Sequence, residues 1–462
     1  MTEDAKALAR GALGQVVRRF LDTLRKTQFM PPERMREYQR GLLERLVRHA
    51  RAHVPFYRDG GRLNPLFRAD DTIDWERWGE IPVLTRGEVR SAGAALHSDI
   101  ELPEHGATWA LSTSGSTGEP VSVVHTHLSR SVTWTAILLR DYERYAIDPT
   151  RRLAHLAPAD PAKFDLTKVR RQDCWYPEFA ALNLFGERYD IADTRDVRDI
   201  IDVVVSLRPD YLRVQPIVLD LMCANDDRGR LSDLGVRAIT TVGEHISKDA
   251  RARAEAHFRC RSLDHYGSNE CGRMASTCPH CGRYHVHADV ALLEVIDEIG
   301  EPTPPGAVGR IIATPFYNYA MPLIRYDHAD QAQVGSPGGC PVMLPALDAV
   351  HGKERTSFCF SGGVRIRPTL PHEPVVQLLG AQSYQVAQVA EDRCEFRLVA
   401  GSIPEHEMRF DEMTALLRTL WWNGLKVDYR IVPALPRGRY GKLVLFVREM
   451  ADAAPMPTGE PR

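Results

Sequence analysis

The sequence lacks long apolar runs and lacks an excess of charge of either sign. No stretch approaches the roughly 18–20 consecutive apolar residues of a membrane span, which argues against a transmembrane helix. The 59 Lys and Arg residues almost balance the 61 Asp and Glu residues, and the formal net charge is −2. Because this balance gives no electrostatic reason to expect nucleic acid or a membrane as a partner, we predict neither.

The chain also lacks a secretion signal and an internal repeat. Its first residues contain no basic start followed by an apolar core, so no signal peptide is expected. Six of the 9 cysteines are scattered, as is typical of a reducing compartment: Cys174, Cys223, Cys260, Cys340, Cys359 and Cys394. These absences predict a cytoplasmic protein.

The length and the order of the local patterns indicate more than one domain. At 462 residues the chain exceeds what one hydrophobic core usually supports. Between residues 107 and 330, β-like runs alternate with helical patterns, which predicts α/β sheets with flanking helices. After about residue 355 the pattern changes to that of a small α+β module. We predict a large N-terminal domain (1–354), a small mobile C-terminal domain (355–450) and a disordered tail (451–462).

One loop combines five hydroxyl side chains with two glycines. It has the sequence Leu-Ser-Thr-Ser-Gly-Ser-Thr-Gly-Glu-Pro at 111–120 and lies between β-like runs at 107–111 and 121–125. Such residues let a backbone turn sharply and aim N–H and O–H donors at one anion, which predicts polyphosphate binding. The loop differs from the nucleotide-triphosphatase P-loop because it lacks the Gly-Lys-Ser/Thr ending and a following helix. A Ser/Gly surface turn is the alternative.

A cation suited to that loop stands near the other end of the chain. Lys442 follows a Gly/Pro-rich turn at 436–441 and opens a β-like run at 443–447. A lysine on this short tether can swing towards a bound phosphate. An ordinary exposed strand residue would show the same pattern.

The loop and the lysine are the ends of an ordered series of motifs. Between them stand Thr-Val-Gly-Glu-His at 241–245, Asp-His-Tyr-Gly-Ser-Asn-Glu at 264–270, Ile-Arg-Tyr-Asp-His-Ala-Asp at 324–330 and His-Gly-Lys-Glu-Arg at 351–355. In sequence and order the series resembles the motif set of the adenylate-forming superfamily of acyl-CoA synthetases, adenylation domains and luciferases. The N-terminal segments 46–58 and 81–86 are similar to those of its phenylacetate-CoA ligase branch.

This resemblance implies an enzyme that uses ATP and Mg²⁺ to activate a carboxylic acid as an acyl-adenylate. It assigns the β- and γ-phosphates to Ser114, Gly115, Ser116, Thr117 and Gly118. Glu270 would help to hold Mg²⁺, because hard cations prefer oxygen ligands. Lys442 would bridge the substrate carboxylate and the α-phosphate as a mobile point charge. A solvated loop charge is the alternative for Glu270.

The same resemblance implies an adenosine site. It assigns the site to Gly243, Glu244, Tyr266, Gly267 and Asp330. Tyr266 would pack against the adenine ring, and Asp330 would accept hydrogen bonds from both ribose hydroxyls. The alternatives are a core aromatic residue for Tyr266 and a strand-end cap for Asp330.

The hinge motif departs from the family pattern. The usual Gly-Arg-x-Asp-Asp reads Gly-Lys-Glu-Arg-Thr at 352–356, so Lys353 occupies the arginine position. Lysine cannot reproduce a bidentate guanidinium contact, so adenylation is better supported than thioester formation. We predict coenzyme A as the acceptor, with an amine or nitrite as alternatives. A non-catalytic nucleotide-binding descendant is the competing hypothesis.

The acid itself is the least defined part of the prediction. The resemblance implies a small aryl or arylacetic acid, and it leaves a homodimer open. It places the acyl pocket between the phosphate loop and the Tyr-Gly motif, where aromatic candidates are Trp134, Phe164, Trp175, Tyr176, Phe179 and Phe185, together with His155. All of these are equally compatible with core positions.

A possible metal site directly follows Glu270. Cys271, Cys278, Cys281 and His285 can close a tetrahedral Zn²⁺ shell, with His287 as the alternative fourth ligand. Some phenylacetate-CoA ligase-like proteins are similar in carrying a cysteine-rich zinc loop here. We predict a structural site at about 271–289, because four protein ligands leave no open position. A redox pair and free core cysteines are the alternatives.

Overall fold

The computed structural model describes residues 3–112, 121–157, 165, 168–193, 197–226, 228–243, 246–336, 338–351, 358–366, 368, 370, 372–401, 403–436 and 444–450. Within these ranges the chain forms three larger sheets with helices packed against them. The predicted mixed α/β class is therefore confirmed. The predicted domain boundary at 354/355 and the tail at 451–462 fall outside the described ranges.

Helices open the chain and position one residue of the candidate site. They are α1 (Glu3–Thr27), α2 (Pro32–His53), α3 (Pro55–Arg58) and α4 (Arg86–Ala92). Helix α4 begins with a capping box, in which Thr85 and Glu88 satisfy each other's backbone N–H groups. This cap fixes the direction in which Arg86, the first residue of α4, leaves the backbone.

A hairpin and a mostly parallel sheet follow. The hairpin consists of β1 (Thr108–Ser112) and β2 (Ser122–Thr126), and a π-helical turn (Leu128–Val132) leads from it into α5 (Thr133–Arg144). The sheet elements are β3 (Leu153–Ala157), β4 (Arg170–Gln172), α6 (Pro177–Ala180), β5 (Arg188–Ala192), α7 (Val197–Leu207), β6 (Tyr211–Val214), α8 (Pro216–Ala224), β7 (Ala238–Thr241), α9 (Lys248–Phe258) and β8 (Arg261–Leu263).

The order of these strands is β4-β5-β3-β6-β7-β8, and only the β4–β5 pair among the described strands is antiparallel. Parallel sheets are usually covered on both faces, and all four residues of β7 are buried here. The core beneath α7 and α8 includes Ile200, Leu212 and Met222.

A second sheet is antiparallel throughout its described strands and carries most of the candidate site. It consists of β9 (His265–Ser268), β10 (Gly272–Thr277), β11 (Tyr284–Val286), β12 (Ala291–Ile296), β13 (Val308–Pro315), β14 (Tyr326–Val334) and β15 (Ala346–His351). Their order is β12-β13-β14-β15-β11-β10-β9. A register shift between Arg273 and Ala275 bends β10 against β9.

The C-terminal part forms a module with its own apolar core. Its elements are β16 (Phe358–Phe360), β17 (Val364–Ile366), α10 (His372–Leu379), β18 (Ser383–Ala390), β19 (Arg393–Val399), α11 (Phe410–Leu420), β20 (Lys426–Ile431) and β21 (Phe446–Arg448). Phe358, Phe396 and Leu417 are fully buried in this core. No helix in the described part of the chain combines the length and the apolar composition required to cross a bilayer.

Candidate active site

The strands that flank the predicted phosphate loop are paired. Ser112 at the end of β1 lies opposite Ser122 at the start of β2, so the intervening segment connects the two strands at this end of the hairpin. Several residues predicted for the site lie outside the described residues: Ser114, Gly115, Ser116, Thr117, Gly118, Glu244, Lys353 and Lys442. Their roles stay predictions.

Two residues predicted to bind adenosine are in direct contact. The Tyr266 hydroxyl donates a hydrogen bond to Asp330 Oδ2 at 3.0 Å, although the residues are 64 positions apart in sequence. Burial, followed by the charge of Asp330, raises the pKa of Tyr266 well above its ordinary value. The phenol therefore stays protonated and fixes the carboxylate. His328 Nδ1 approaches the same oxygen at 3.9 Å.

The glycines of this region have different reasons for their positions. A Cβ at Gly267 would collide with the carbonyl oxygen of Gly272, so the close approach of β9 and β10 requires glycine there. Gly243 has φ +88°, a conformation that L side chains rarely adopt. Gly243 is exposed directly after β7.

Glu270 is buried and paired, which differs from a solvated loop charge. Its Oε1 accepts hydrogen bonds from Arg86 Nη1 at 3.0 Å and from the Tyr326 hydroxyl at 3.4 Å. The strand-like bridge between Leu84 and Tyr326 brings the segment before α4 alongside β14 and carries Arg86 to the carboxylate. Sequence reasoning missed this pair, because no local spacing signals a contact between residues 184 positions apart. We call Tyr266, Glu270 and Asp330 the nucleotide corner.

The fit of Glu270 to Mg²⁺ is partial. A carboxylate is the oxygen ligand that Mg²⁺ prefers. However, Oε1 already accepts from Arg86 and Tyr326. A cation that binds Glu270 at this oxygen must displace Arg86 or Tyr326, or must bind beside them.

His125 connects the phosphate-loop hairpin to the segment that carries Glu270. Its Nε2 lies 2.7 Å from the carbonyl oxygen of Asn269, so Nε2 carries the proton and donates it. Burial is the main cause that lowers the pKa of His125 to about 4, and the ring is neutral near pH 7. Sequence reasoning did not single out His125.

A cleft that is partly open to solvent lies beside Glu270. Its lining residues are His125, Ser129, Thr133, Ile137, Glu270, Cys271, Gly272, Arg273, Val290, Pro315, Tyr317 and Asn318. We call it the acyl cavity. None of the aromatic residues that the sequence suggested is among these lining residues. Trp175 and Phe179 are core residues with 0% exposure, and Phe185 is 55% exposed.

Three residues predicted as metal ligands lie together with a fourth that was not predicted. The ligand atoms of Cys278, Cys281, His285 and Cys340 all lie within 4.8 Å of one another, and we call these residues the cysteine cluster. Cys340 therefore takes the place that was predicted for Cys271. It comes from the segment between β14 and β15, 55 positions after His285, which explains why local spacing did not reveal it.

Cys271 and His287, the other candidates from the sequence, lie elsewhere. Cys271 packs into the core that contains Met274 and Tyr326, and burial raises the pKa of its thiol well above the ordinary value. His287 is fully buried and accepts a hydrogen bond at Nδ1 from Arg140 at 2.7 Å. Neither residue belongs to the cysteine cluster.

The distances within the cysteine cluster suit a tetrahedral ion. Cys278 Sγ lies 3.6 Å from Cys340 Sγ, too far for a disulfide. His285 Nε2 lies 3.5 Å from Cys281 Sγ and 3.3 Å from Cys340 Sγ. Zn–S bonds of about 2.3 Å at tetrahedral angles separate two sulfurs by roughly 3.8 Å, so the spacing fits. The donor set of three thiols and one imidazole is also a common one for structural Zn²⁺.

The tautomer of His285 suits the same role. Its Nδ1 lies 2.7 Å from the Leu344 carbonyl oxygen, so Nδ1–H donates and Nε2 keeps a lone pair directed at the thiols. Burial is the main cause that lowers the pKa of His285 to about 4. Burial acts to raise the pKa of Cys281, but hydrogen bonds from Arg283 outweigh it and lower the value.

The sequence matches a known enzyme family over a region that contains Tyr266, Glu270 and most of the acyl cavity wall. The AMP-binding enzyme family model matches residues 91–314. No curated protein matches the chain at a significant level. Residues 91–314 of this chain are therefore similar to the AMP-binding enzymes. This match agrees with the predicted superfamily and with the predicted ATP-dependent, AMP-forming ligase, while the phenylacetate-CoA ligase branch stays a prediction.

Solved structures share the fold of this chain. A 2-hydroxyisobutyryl-CoA ligase in the postadenylation state, in complex with 2-HIB-AMP, has a TM-score of 0.66 at 17% identity, covering 92% of this chain and 91% of that one. The same ligase with 2-HIB-AMP and CoA in the thioesterification state scores 0.57 at 17% identity, with 91% of each chain covered. An anthranilate CoA ligase in complex with anthranoyl-AMP scores 0.51 at 15% identity, covering 72% of this chain and 65% of that one.

Proposed function

We propose that this protein is an acid–CoA ligase. It condenses a small carboxylic acid with ATP to an acyl-adenylate and pyrophosphate, and it then transfers the acyl group to the thiol of coenzyme A and releases AMP. The observation that supports this most is the contact of Tyr266 with Asp330, two motifs that converge next to Glu270 at one end of the acyl cavity.

The first half-reaction brings two anions together, because the acid carboxylate attacks the α-phosphorus of ATP. Neutralising and aligning these anions is what the site must provide. Mg²⁺ would supply part of that neutralisation when it is bound near Glu270. Arg86 holds Glu270 in place, and His125 ties the strand after the phosphate loop to the carbonyl of Asn269. Lys442 would supply the mobile positive charge at the α-phosphate.

Coenzyme A is the acceptor that the comparisons favour. The solved structures with the same fold include acid–CoA ligases with acyl-adenylates bound, and one of them also contains CoA. An amine or nitrite remains the alternative, because Lys353 replaces the family's hinge arginine. The prediction of an aryl or arylacetic acid comes from the resemblance alone.

Pyrophosphate exchange tests the first half-reaction, and mass spectrometry of the products tests the second. With ATP, Mg²⁺ and a panel of acids, the protein should catalyse ATP–pyrophosphate exchange, and CoA should yield a thioester. Lys442→Ala should reduce exchange by at least about 100-fold, because one charged group in the transition state is lost. Silence across a broad panel of acids would favour a non-catalytic nucleotide-binding protein instead.

We also propose that the cysteine cluster binds one structural Zn²⁺. The proposal rests on the distances among Cys278, Cys281, His285 and Cys340 and on the tautomer of His285. The ion would attach the segment between β14 and β15 to the turn between β10 and β11. Metal analysis should find near-stoichiometric zinc in the purified protein.

A pair of substitutions distinguishes the ligand set. Cys340→Ser should abolish most zinc binding, whereas Cys271→Ala should leave the zinc content unchanged, because Cys271 lies in the core. Loss of zinc in Cys271→Ala with retention in Cys340→Ser would contradict the assignment.

A further inference from the structure

The wall of the acyl cavity contains an arginine that has no protein acceptor for two of its nitrogens. Arg273 lies on β10, three residues after Glu270, and lines the cavity. Its guanidinium carbon lies 4.8 Å from the centre of the Trp134 ring, so the charged group stacks on an aromatic face. Its Nε and Nη1 are buried and have no hydrogen-bond partner among the described residues.

The surroundings of Arg273 do not neutralise it. Burial lowers its pKa to about 10, which still leaves the group charged near pH 7. A nearby carboxylate, Asp141, lies 3.3 Å from Arg144 and 3.5 Å from His265. Arg213, which acts on the same group, is also positive and uses Nη1 to contact His155 Nε2 at 2.5 Å. The groups that act on Arg273 thus include one carboxylate, which is already paired with Arg144, and a second arginine.

One face of a helix defines the direction of the cavity. Ser129, Thr133 and Ile137 lie four residues apart, on one face of the helix that follows β2. At about 1.5 Å per residue, this face extends roughly 12 Å from the His125 end, next to Glu270, towards the centre of α5. Trp134 holds the guanidinium of Arg273 along this path. An acid whose reacting carboxylate lies near Glu270 would direct its other end towards Arg273.

We propose that Arg273 makes the acyl cavity selective for acids that carry a second anionic group, such as a dicarboxylic acid. The distal carboxylate accepts a charge-assisted hydrogen bond from one of the two unpaired nitrogens, Nε or Nη1. The inference rests on the proposed function, because it specifies the substrate class of the same cavity. It replaces the simple aryl acid with a small dianion.

The test uses matched pairs of acids with the full-length protein. Pyrophosphate exchange is measured with terephthalate against 4-methylbenzoate and with glutarate against pentanoate. One charge-assisted pair is worth roughly 10- to 100-fold in kcat/KM, so the dianion should be preferred by about that factor. Arg273→Met should remove this preference while retaining exchange with the monoacids. Arg273→Lys should keep part of it.

Controls separate this inference from the proposed function. Arg237→Met, at a half-exposed arginine paired with Asp210, should leave the preference unchanged. Exchange with monoacids in preference to dianions, or an equal loss for both acids in Arg273→Met, would overturn the inference and leave the ligase intact. No exchange with any acid would overturn both. If Arg273→Met does not fold, the wild-type preference and Arg273→Lys decide the matter.

Discussion

The nucleotide corner and the cysteine cluster are carried by the same antiparallel sheet, but they balance their charges differently. In the nucleotide corner, Glu270 is paired with Arg86, and Asp330 accepts from Tyr266. In the cysteine cluster, three thiols face each other and one imidazole lone pair, with Cys278 and Cys340 sulfurs 3.6 Å apart. Thiolates this close repel one another unless a cation lies between them.

This difference separates the site proposed for a passing substrate from the site proposed for a resident ion. The nucleotide corner is satisfied by protein groups alone, so it can persist between turnovers. The cysteine cluster would depend on the proposed ion once the thiols ionise. We therefore expect changes in the nucleotide corner to reduce activity with little loss of stability, and changes in the cysteine cluster to do the opposite.

The largest effect is expected from Glu270→Gln. The substitution removes the carboxylate that would help to hold Mg²⁺, and acyl-adenylate formation should fall roughly 100- to 1,000-fold. Pyrophosphate exchange measures the rate. Glu301→Gln, at an exposed turn after β12, is the control. A loss of less than about fivefold would contradict the predicted role.

Removal of metal from the cysteine cluster should have the next largest effect, on stability. Treatment with a strong chelator should lower the free energy of unfolding by more than about 2 kcal/mol, because the ion holds two segments together. Denaturant unfolding with and without chelator measures this. Cys340→Ser should resemble the chelated protein and should no longer respond to chelator. An unchanged unfolding curve would remove the distinction between the two regions.

Tyr266→Phe should have a smaller effect that is confined to nucleotide binding. The substitution removes one hydroxyl that donates to Asp330, and a hydrogen bond to a charged group contributes about 1.5–3 kcal/mol. We expect the KM for ATP to rise roughly 10-fold or more and kcat to change little. Tyr429→Phe, in the C-terminal module, is the control because its hydroxyl contacts only Thr414 among the described hydrogen bonds. An equal change in both variants would contradict the adenosine role.

The smallest effect is expected from the titration of His125. Its pKa of about 4 in the folded protein lies below the ordinary 6.5, so the folded state favours the neutral ring. Its contribution to stability is therefore complete above about pH 6.5 and is lost as the pH falls towards 4, since the unfolded chain binds the proton first. His125→Gln keeps an N–H donor without a titrating ring and should flatten this dependence. Denaturant unfolding between pH 7 and 4.5 measures the difference; identical slopes would contradict it.

Local motifs predicted those parts of the site whose residues each belong to a short sequence pattern. The Cys-x-x-Cys turn and His285 were recognised because their spacing places three ligands around one hairpin. Tyr266 and Asp330 were recognised from their motifs, and the structure brings them into contact. The alternation of β-like and helical patterns likewise predicted the α/β class, because the period of apolar residues follows from strand and helix geometry.

The sequence by itself determined the fold class and the order of the motifs, because these depend on local residue patterns. The tertiary structure alone decided that Cys340 replaces Cys271, that Arg86 pairs with Glu270, and that the acyl cavity runs along α5 past Arg273. The first two contacts join segments 55 and 184 positions apart. Strand register and the docking of a segment against β14 create these contacts. Neither feature produces a residue spacing that the sequence alone would reveal.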